Sequence, residues 1–140
     1  MAEPALVAAE VPPLDEALAL YTAVGWTAYT NAPDTLRRAL AGSSLVLTAR
    51  RDGVLVGLAR AVGDDATICY LQDVLVNPDA RRSGVGGALV RAVLERYAHV
   101  RQKVLLTDDE PGQRAFYLSL GYEEVREAAG GRLRSFVRFD

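Results

Sequence analysis

The sequence predicts a single α/β domain: a mixed, mostly antiparallel sheet with one parallel pair, flanked by helices. Three observations predict it. Apolar runs of strand length alternate with segments whose apolar residues recur at helical spacing. Three of the strand-like runs succeed one another across short turns, which implies antiparallel pairing, whereas a later strand, helix and strand in succession implies a parallel crossover. Finally, 140 residues with 50% hydrophobic and 24% charged side chains suit one core, and no repeat or Gly-, Ser- or Pro-rich linker divides the chain.

Taken in order, the apolar run from Ala5 to Ala9 is a strand, and Leu14, Ala17, Leu18, Tyr21 and Val24 form a helical face between Pro12-Pro13 and Gly25. An aromatic loop, GWTAYTN, leads to a second helix from Pro33 to Ala41, in which Leu36 and Leu40 share a face. Strands follow at Leu45 to Ala49, Val54 to Val62 and Thr67 to Val76, separated by Asp52-Gly53 and Gly63-Asp64-Asp65. Val85, Leu89, Val93 and Tyr97, at steps of four, mark the next helix. Val104 to Leu106 is a short strand, and a helix runs from Pro111 to Leu120 with Gly121 closing it. The end reads as a hairpin: Tyr122 to Val125, a turn at Gly130-Gly131, and Leu133 to Phe139 alternating with arginines.

Charge and composition exclude several classes. Sixteen basic and eighteen acidic side chains leave a formal charge of -2, so no basic field points to nucleic acid or an anionic membrane. One cysteine, Cys69, and one histidine, His99, provide neither a disulfide nor a zinc site, so no metal is expected. The first ten residues are acidic and too short in apolar run for a signal peptide, and no stretch reaches membrane-spanning length, which points to the cytoplasm.

The densest chemistry lies where the third of the consecutive strands runs into a helix, from Val74 to Leu89. Amides at a helix N-terminus have no intrahelical partner and sit at the positive end of the helix dipole, so they suit a phosphate. Gly84, Gly86 and Gly87 let an anion approach the backbone, and Arg81 and Arg82 add charge. Three glycines in a first helical turn cost roughly 0.5–1 kcal/mol each against alanine, more than a simple turn requires. The P-loop pattern fails, because the only lysine is Lys103, and the dinucleotide pattern G-x-G-x-x-G fails at Leu89.

The pattern Arg81-x-x-Gly84-x-Gly86 after Val74-Leu75-Val76 resembles the signature of the GNAT superfamily of N-acetyltransferases. Ala115-Phe116-Tyr117-Leu118-Ser119-Leu120-Gly121-Tyr122 resembles the family's second element, and the element order extends the likeness to nearly the whole chain. The resemblance implies a GNAT-like fold with a splayed parallel pair, acetyl-CoA as cosubstrate, and transfer of its acetyl group to a primary amine of a small molecule or peptide. It implies that Leu75 and Val76 meet the pantetheine arm. Arg81, Arg82, Ser83, Gly84, Val85, Gly86, Gly87 and Ala88 would hold the pyrophosphate. A homodimer built on the terminal strands is also within the family's habits. The rival readings are another acyl-CoA donor, or a domain that binds acetyl-CoA without turnover.

Carried over from the family, Tyr117 is the proton donor to the departing thiolate, a role that a phenol with pKa near 10 can fill. Asp73 is the only acid on its strand and the candidate base; strand alternation puts it on the face of Leu71 and Leu75, opposite Gln72 and Val76. In the spermidine/spermine acetyltransferases, which this stretch resembles, the proposed base aligns with Gln72, and the family strand commonly carries a bulge that upsets simple alternation. Many members have a CoA-contacting Asn where this chain has Glu110, and Gln113 on the same helix is the expected substitute. Trp26 and Tyr29 are expected either to wall the amine site or to cap the sheet.

Overall fold

The computed structural model describes residues 4–140, which divide into two compact units, one ending at Leu106 and the other spanning Thr107–Asp140. The first holds a sheet of β1 (Leu6–Ala9), β2 (Leu45–Arg51), β3 (Val54–Gly63), β4 (Ile68–Val76) and β5 (Gln102–Leu105), in that spatial order. Pairing is antiparallel among β2, β3 and β4 and parallel between β4 and β5, as the element order predicts, and β1 joins the edge antiparallel to β2. The helices of this unit are α1 (Leu14–Ala23), α2 (Thr27–Thr30), α3 (Pro33–Gly42) and α4 (Val85–Arg96). The aromatic loop of the sequence therefore contains one helical turn, α2.

On one face, α1 and α3 lay Ala17, Leu20, Tyr21, Leu36 and Leu40 against Val46, Leu55, Leu58 and Leu75. Burying each leucine contributes about 1.5–3 kcal/mol, which fixes the two helices on the sheet. On the other face, α4 buries Val85, Leu89, Val90 and Val93. Its closest support is Gly57 of β3: a Cβ there would stand 2.8 Å from Val85 Cγ1 and 3.0 Å from Leu89 Cδ1. Only the absence of a side chain lets the helix rest at this depth.

Two bulges position the site. Between β2 and β3 the register passes from Ala49↔Gly57 to Arg50↔Leu55, leaving Val56 as the extra residue. Between β3 and β4 it passes from Arg60↔Asp73 to Ala61↔Leu71, leaving Gln72 as the extra residue. Strict alternation therefore fails at Asp73: it pairs with Arg60, whereas Leu71 pairs with Ala61, which alternation on β3 turns to the opposite face. Asp73 keeps Leu75 as a neighbour on its face and loses Leu71.

The second unit begins with α5 (Pro111–Ser119) and lacks the expected hairpin. Residues 125–127 are drawn into a turn, with the Glu127 and Ala128 amides donating to Glu124 O, and Arg114 on α5 holds this segment through Glu124 at 2.7 Å and Glu127 at 3.1 Å. The turn at Gly130-Gly131 is present, with φ of 69° and 76°, but residues 132–140 form no strand. A two-stranded ribbon is marginal in water, and here local ion pairs compete with it.

Candidate active site

Beyond β4 the chain enters the glycine loop through a 3₁₀ turn, Pro78–Ala80, capped by Asn77 Oδ1, which accepts the Asp79 amide at 2.9 Å. Ser83 Oγ donates to Ala80 O, and both Arg82 and Gly84 take left-handed backbone, with φ of 63° and 83°. A Cβ at Gly84 would meet nothing within 4 Å, so conformation and access, not crowding, call for glycine. The first α4 bond runs from the Ala88 amide to Gly84 O at 3.0 Å, and Gly84 has no side chain to cap. The amides of Val85, Gly86 and Gly87 thus precede the helical ladder.

Around these amides Arg81, Arg82 and Ser83 are exposed, and Ala88 is half-buried one position on. Arg91, absent from the sequence expectations, lays its guanidinium one turn up, where a Cβ on Gly87 would lie 3.0 Å from its Nη2. Its spacing of four from Gly87 was the available signal. Oriented amides, a helix dipole and three guanidiniums are the chemistry that suits a phosphate. Beside it, β5 pairs with β4 only from Ile68 to Leu71, so residues 72–76 have no partner strand in the sheet on that edge. Leu75 turns its side chain into the core and Val76 is half-buried, so an extended ligand arm on this edge would meet their backbone.

On the α1 side of the sheet, Asp73 is 3% exposed and its carboxylate takes three donors: Tyr21 Oη at 2.9 Å, Tyr29 Oη at 2.8 Å and Arg60 Nε at 2.5 Å. Arg60 Nη2 also donates to Tyr29 Oη at 3.2 Å, and its Nη1 reaches Ser43 Oγ at 3.4 Å. Burial opposes the charge on Arg60, and the carboxylate beside it outweighs burial, raising its pKa. Burial, reinforced by the Asp73 charge, pushes the Tyr21 phenol far above its ordinary value. Tyr21, Trp26 and Tyr29 pack as an aromatic group, with ring centroids 5.8 Å apart for Tyr21–Trp26 and 4.9 Å for Tyr21–Tyr29. Trp26 and Tyr29 both pack against the core and remain half-buried. Gln72 is exposed, yet its Nε2 lies 3.4 Å from Tyr29 Oη, so the bulge directs Gln72 and Asp73 to one phenol. Sequence reading named Asp73, Tyr29, Gln72 and Trp26, missed Arg60, and placed Tyr21 only on the apolar face of a helix.

In the second unit, Tyr117 stacks edge-on with Phe116 and Tyr122, at 4.9 Å and 5.8 Å between centroids. Burial raises the pKa of its phenol, which keeps the proton in place at neutral pH. Gln113 lies half-buried on the same helix, and Glu110 is its exposed N-cap residue. Elsewhere, Cys69 is buried and its thiol pKa is raised by that burial, while His99 Nε2 lies 2.9 Å from Asp65 Oδ1 at the β3–β4 turn. Among the described residues, no cluster of three His, Cys, Asp or Glu suits a metal, and no helix is long and apolar enough to cross a membrane.

A mixed sheet whose parallel pair opens beside a helix with free N-terminal amides is the architecture of an acetyltransferase. Residues 15–133 match the family model described as the acetyltransferase (GNAT) domain, and the chain belongs to that family. A GNAT-family acetyltransferase from Streptococcus pneumoniae TIGR4 superposes with a TM-score of 0.82 at 26% identity, covering 97% of this chain and 98% of that one. AAC(6')-Iy in complex with the bisubstrate analog CoA-S-monomethyl-acetylneamine superposes at 0.74 with 20% identity and 99% coverage of both chains, a likeness of fold alone. Mycothiol acetyltransferase from Kineococcus radiotolerans is 37% identical over 98 residues, which are 67% of this chain and 32% of that protein. The chain thus spans about a third of the length of the curated relatives it matches.

Proposed function

We propose that this protein transfers the acetyl group of acetyl-CoA directly to a primary amine of a small molecule or peptide, and that its two units serve as one acetyltransferase domain. The family match, which runs across the boundary between the units, supports the single domain. The observation that carries the activity is the pairing of free amides at Val85, Gly86 and Gly87 with the strand-free edge of β4. The first suits a pyrophosphate and the second an amide-bearing arm, which are successive parts of CoA.

Acetyl-CoA supplies an activated thioester when bound. Arg81, Arg82, Ser83 and the amides through Ala88 hold its phosphates, Leu75 and Val76 present backbone to its arm, and Gln113 adds a polar contact. Tyr117 donates the proton that the departing sulfur takes as the C–S bond breaks and the new C–N bond forms; the proton lost by nitrogen goes to water. Trp26, Tyr29 and Gln72 face the acceptor. Asp73 is the one carboxylate available on β4, and its three donors favour an ordering role over that of base.

Spectroscopic detection of free thiol with acetyl-CoA and a panel of amino sugars, polyamines, amino acids and peptides tests this reading. Amine-dependent thiol release with equimolar acetylamide is the expected result. Tight acetyl-CoA binding without release across the panel would point to a sensing domain, and faster turnover with longer acyl-CoA to another donor. A homodimer is proposed on the exposed apolar residues Leu133, Phe136, Val137 and Phe139, of which Phe136 is 95% exposed. Sedimentation of wild type and Phe136→Ser checks it.

A further inference from the structure

We infer that Arg60 and Asp73, acting through Tyr29, fix the polarity of the Gln72 amide so that its oxygen faces outward and accepts the N–H of the incoming amine. The inference rests on the acetyl-transfer reading.

The bond senses leave one solution. A guanidinium has only donors, and a carboxylate paired with it has only acceptors. Asp73 Oδ1 therefore takes the single proton of the Tyr29 hydroxyl at 2.8 Å, while Arg60 Nη2 donates to the same phenol oxygen at 3.2 Å. With that proton committed, the Tyr29 oxygen can only accept from Gln72, 3.4 Å away. The NH2 group must face Tyr29, and Oε1 is turned to the opposite side, where Gln72 is exposed. The orientation thus follows from the ion pair and does not depend on telling amide nitrogen from oxygen by position.

The β4 bulge makes the relay possible, since strict alternation would have sent Gln72 and Asp73 to opposite faces. A chain of fixed polarity then leads from a buried ion pair to an exposed acceptor oxygen. Such an oxygen favours a group with N–H to give, an ammonium or an amine, over a group that only accepts. Arg60 is a positioning residue: it acts through Tyr29 and meets no substrate.

Tyr29→Phe deletes the relay oxygen and keeps the ring, along with the Arg60 and Tyr21 bonds to Asp73. Acceptor KM should rise about tenfold, with kcat and acetyl-CoA KM within about twofold. Asp73→Asn tests the polarity itself, because an amide at 73 can donate to Tyr29, release the phenol proton towards Gln72 and turn that amide around. Amine KM should then rise at least as far as in Tyr29→Phe. A lower melting temperature with acceptor KM unchanged in both variants would mark the network as structural only and overturn the inference.

A second readout needs no turnover: exchange of the Gln72 side-chain amide protons with water, followed by NMR. It should quicken severalfold in Tyr29→Phe, and equal rates in the two proteins would overturn the inference. Absence of thiol release from wild type with every amine would instead overturn the acetyl-transfer reading, with the exchange rates still deciding the relay.

Discussion

Past the C-terminal end of β4, charge is handled by backbone: exposed Arg81 and Arg82 precede, and exposed Arg91 follows, helix amides that lie ahead of the helical ladder. Three residues before that end, charge is handled by side chains: Asp73 of β4 and Arg60 of the neighbouring β3 are buried and engaged with each other and with two tyrosines. The first arrangement offers donors suited to an anion. The second has satisfied itself and passes only a direction, the polarity of Gln72, to the surface. One strand thus carries a binding device that stores unmet hydrogen-bonding capacity and an orienting device that stores none.

Changes of decreasing size test this contrast. If neither end performs the chemistry, Tyr117→Phe should lower kcat by roughly 10²- to 10⁴-fold while acetyl-CoA affinity and acceptor KM hold. Unchanged kcat, with chemistry rate-limiting, would remove Tyr117 from the mechanism. Next, Arg60→Met leaves a buried carboxylate without its cation and should cost about 3–5 kcal/mol of stability by chemical denaturation. Arg82→Ala, at the exposed end, should cost no more than about 0.5 kcal/mol and weaken acetyl-CoA binding instead. Similar stability losses in the two variants would erase the distinction.

Acetyl-CoA at one hundred times its Kd should stabilise the wild type by about 2.7 kcal/mol, since ligand binds the native state alone. Gly84→Glu, which brings bulk and negative charge to the anion site at a positive φ, should abolish that shift. A folded Gly84→Glu protein with the full shift would place the ligand elsewhere.

The smallest effect is in pH dependence. Burial and Asp73 hold the Tyr21 phenol protonated past the pH at which the unfolded chain ionises, near 10. Its contribution is therefore complete below about pH 10 and is lost as pH rises from there towards the folded value. Tyr21→Phe should be about 1 kcal/mol less stable at pH 7 and decline less steeply between about pH 9.5 and 11. Parallel curves would show that Tyr21 is not held in its neutral form.

The glycine loop was legible because its parts are contiguous: strand, turn, glycines and helix follow one another between Val74 and Leu89. The orienting network was not, because Tyr21, Tyr29, Arg60, Gln72 and Asp73 meet only after α1 and α2 have packed on the sheet. Arg60 left one trace, a charge inside the apolar run of β3, which reads equally as an outward position until the pairing is known. The bulge at Gln72 belongs to the register between two strands and not to either strand's composition. At the C-terminal end the alternation of Leu133, Ser135, Val137 and Phe139 suggested a strand, but periodicity cannot weigh the Arg114 pairs with Glu124 and Glu127 that compete with it.

Gly57 bears on all of this from beneath the helix. A methyl group there would stand 2.8 Å from Val85 Cγ1, on the first residue of α4, and so would press on the helix end whose amides precede its ladder. The seat of that helix end on β3 is thus gauged by a single hydrogen atom in the core. Gly57 acts as a shim of zero thickness. Its thickness can be varied without touching any exposed group of the glycine loop, so the placement of the α4 amides can be tuned from the core.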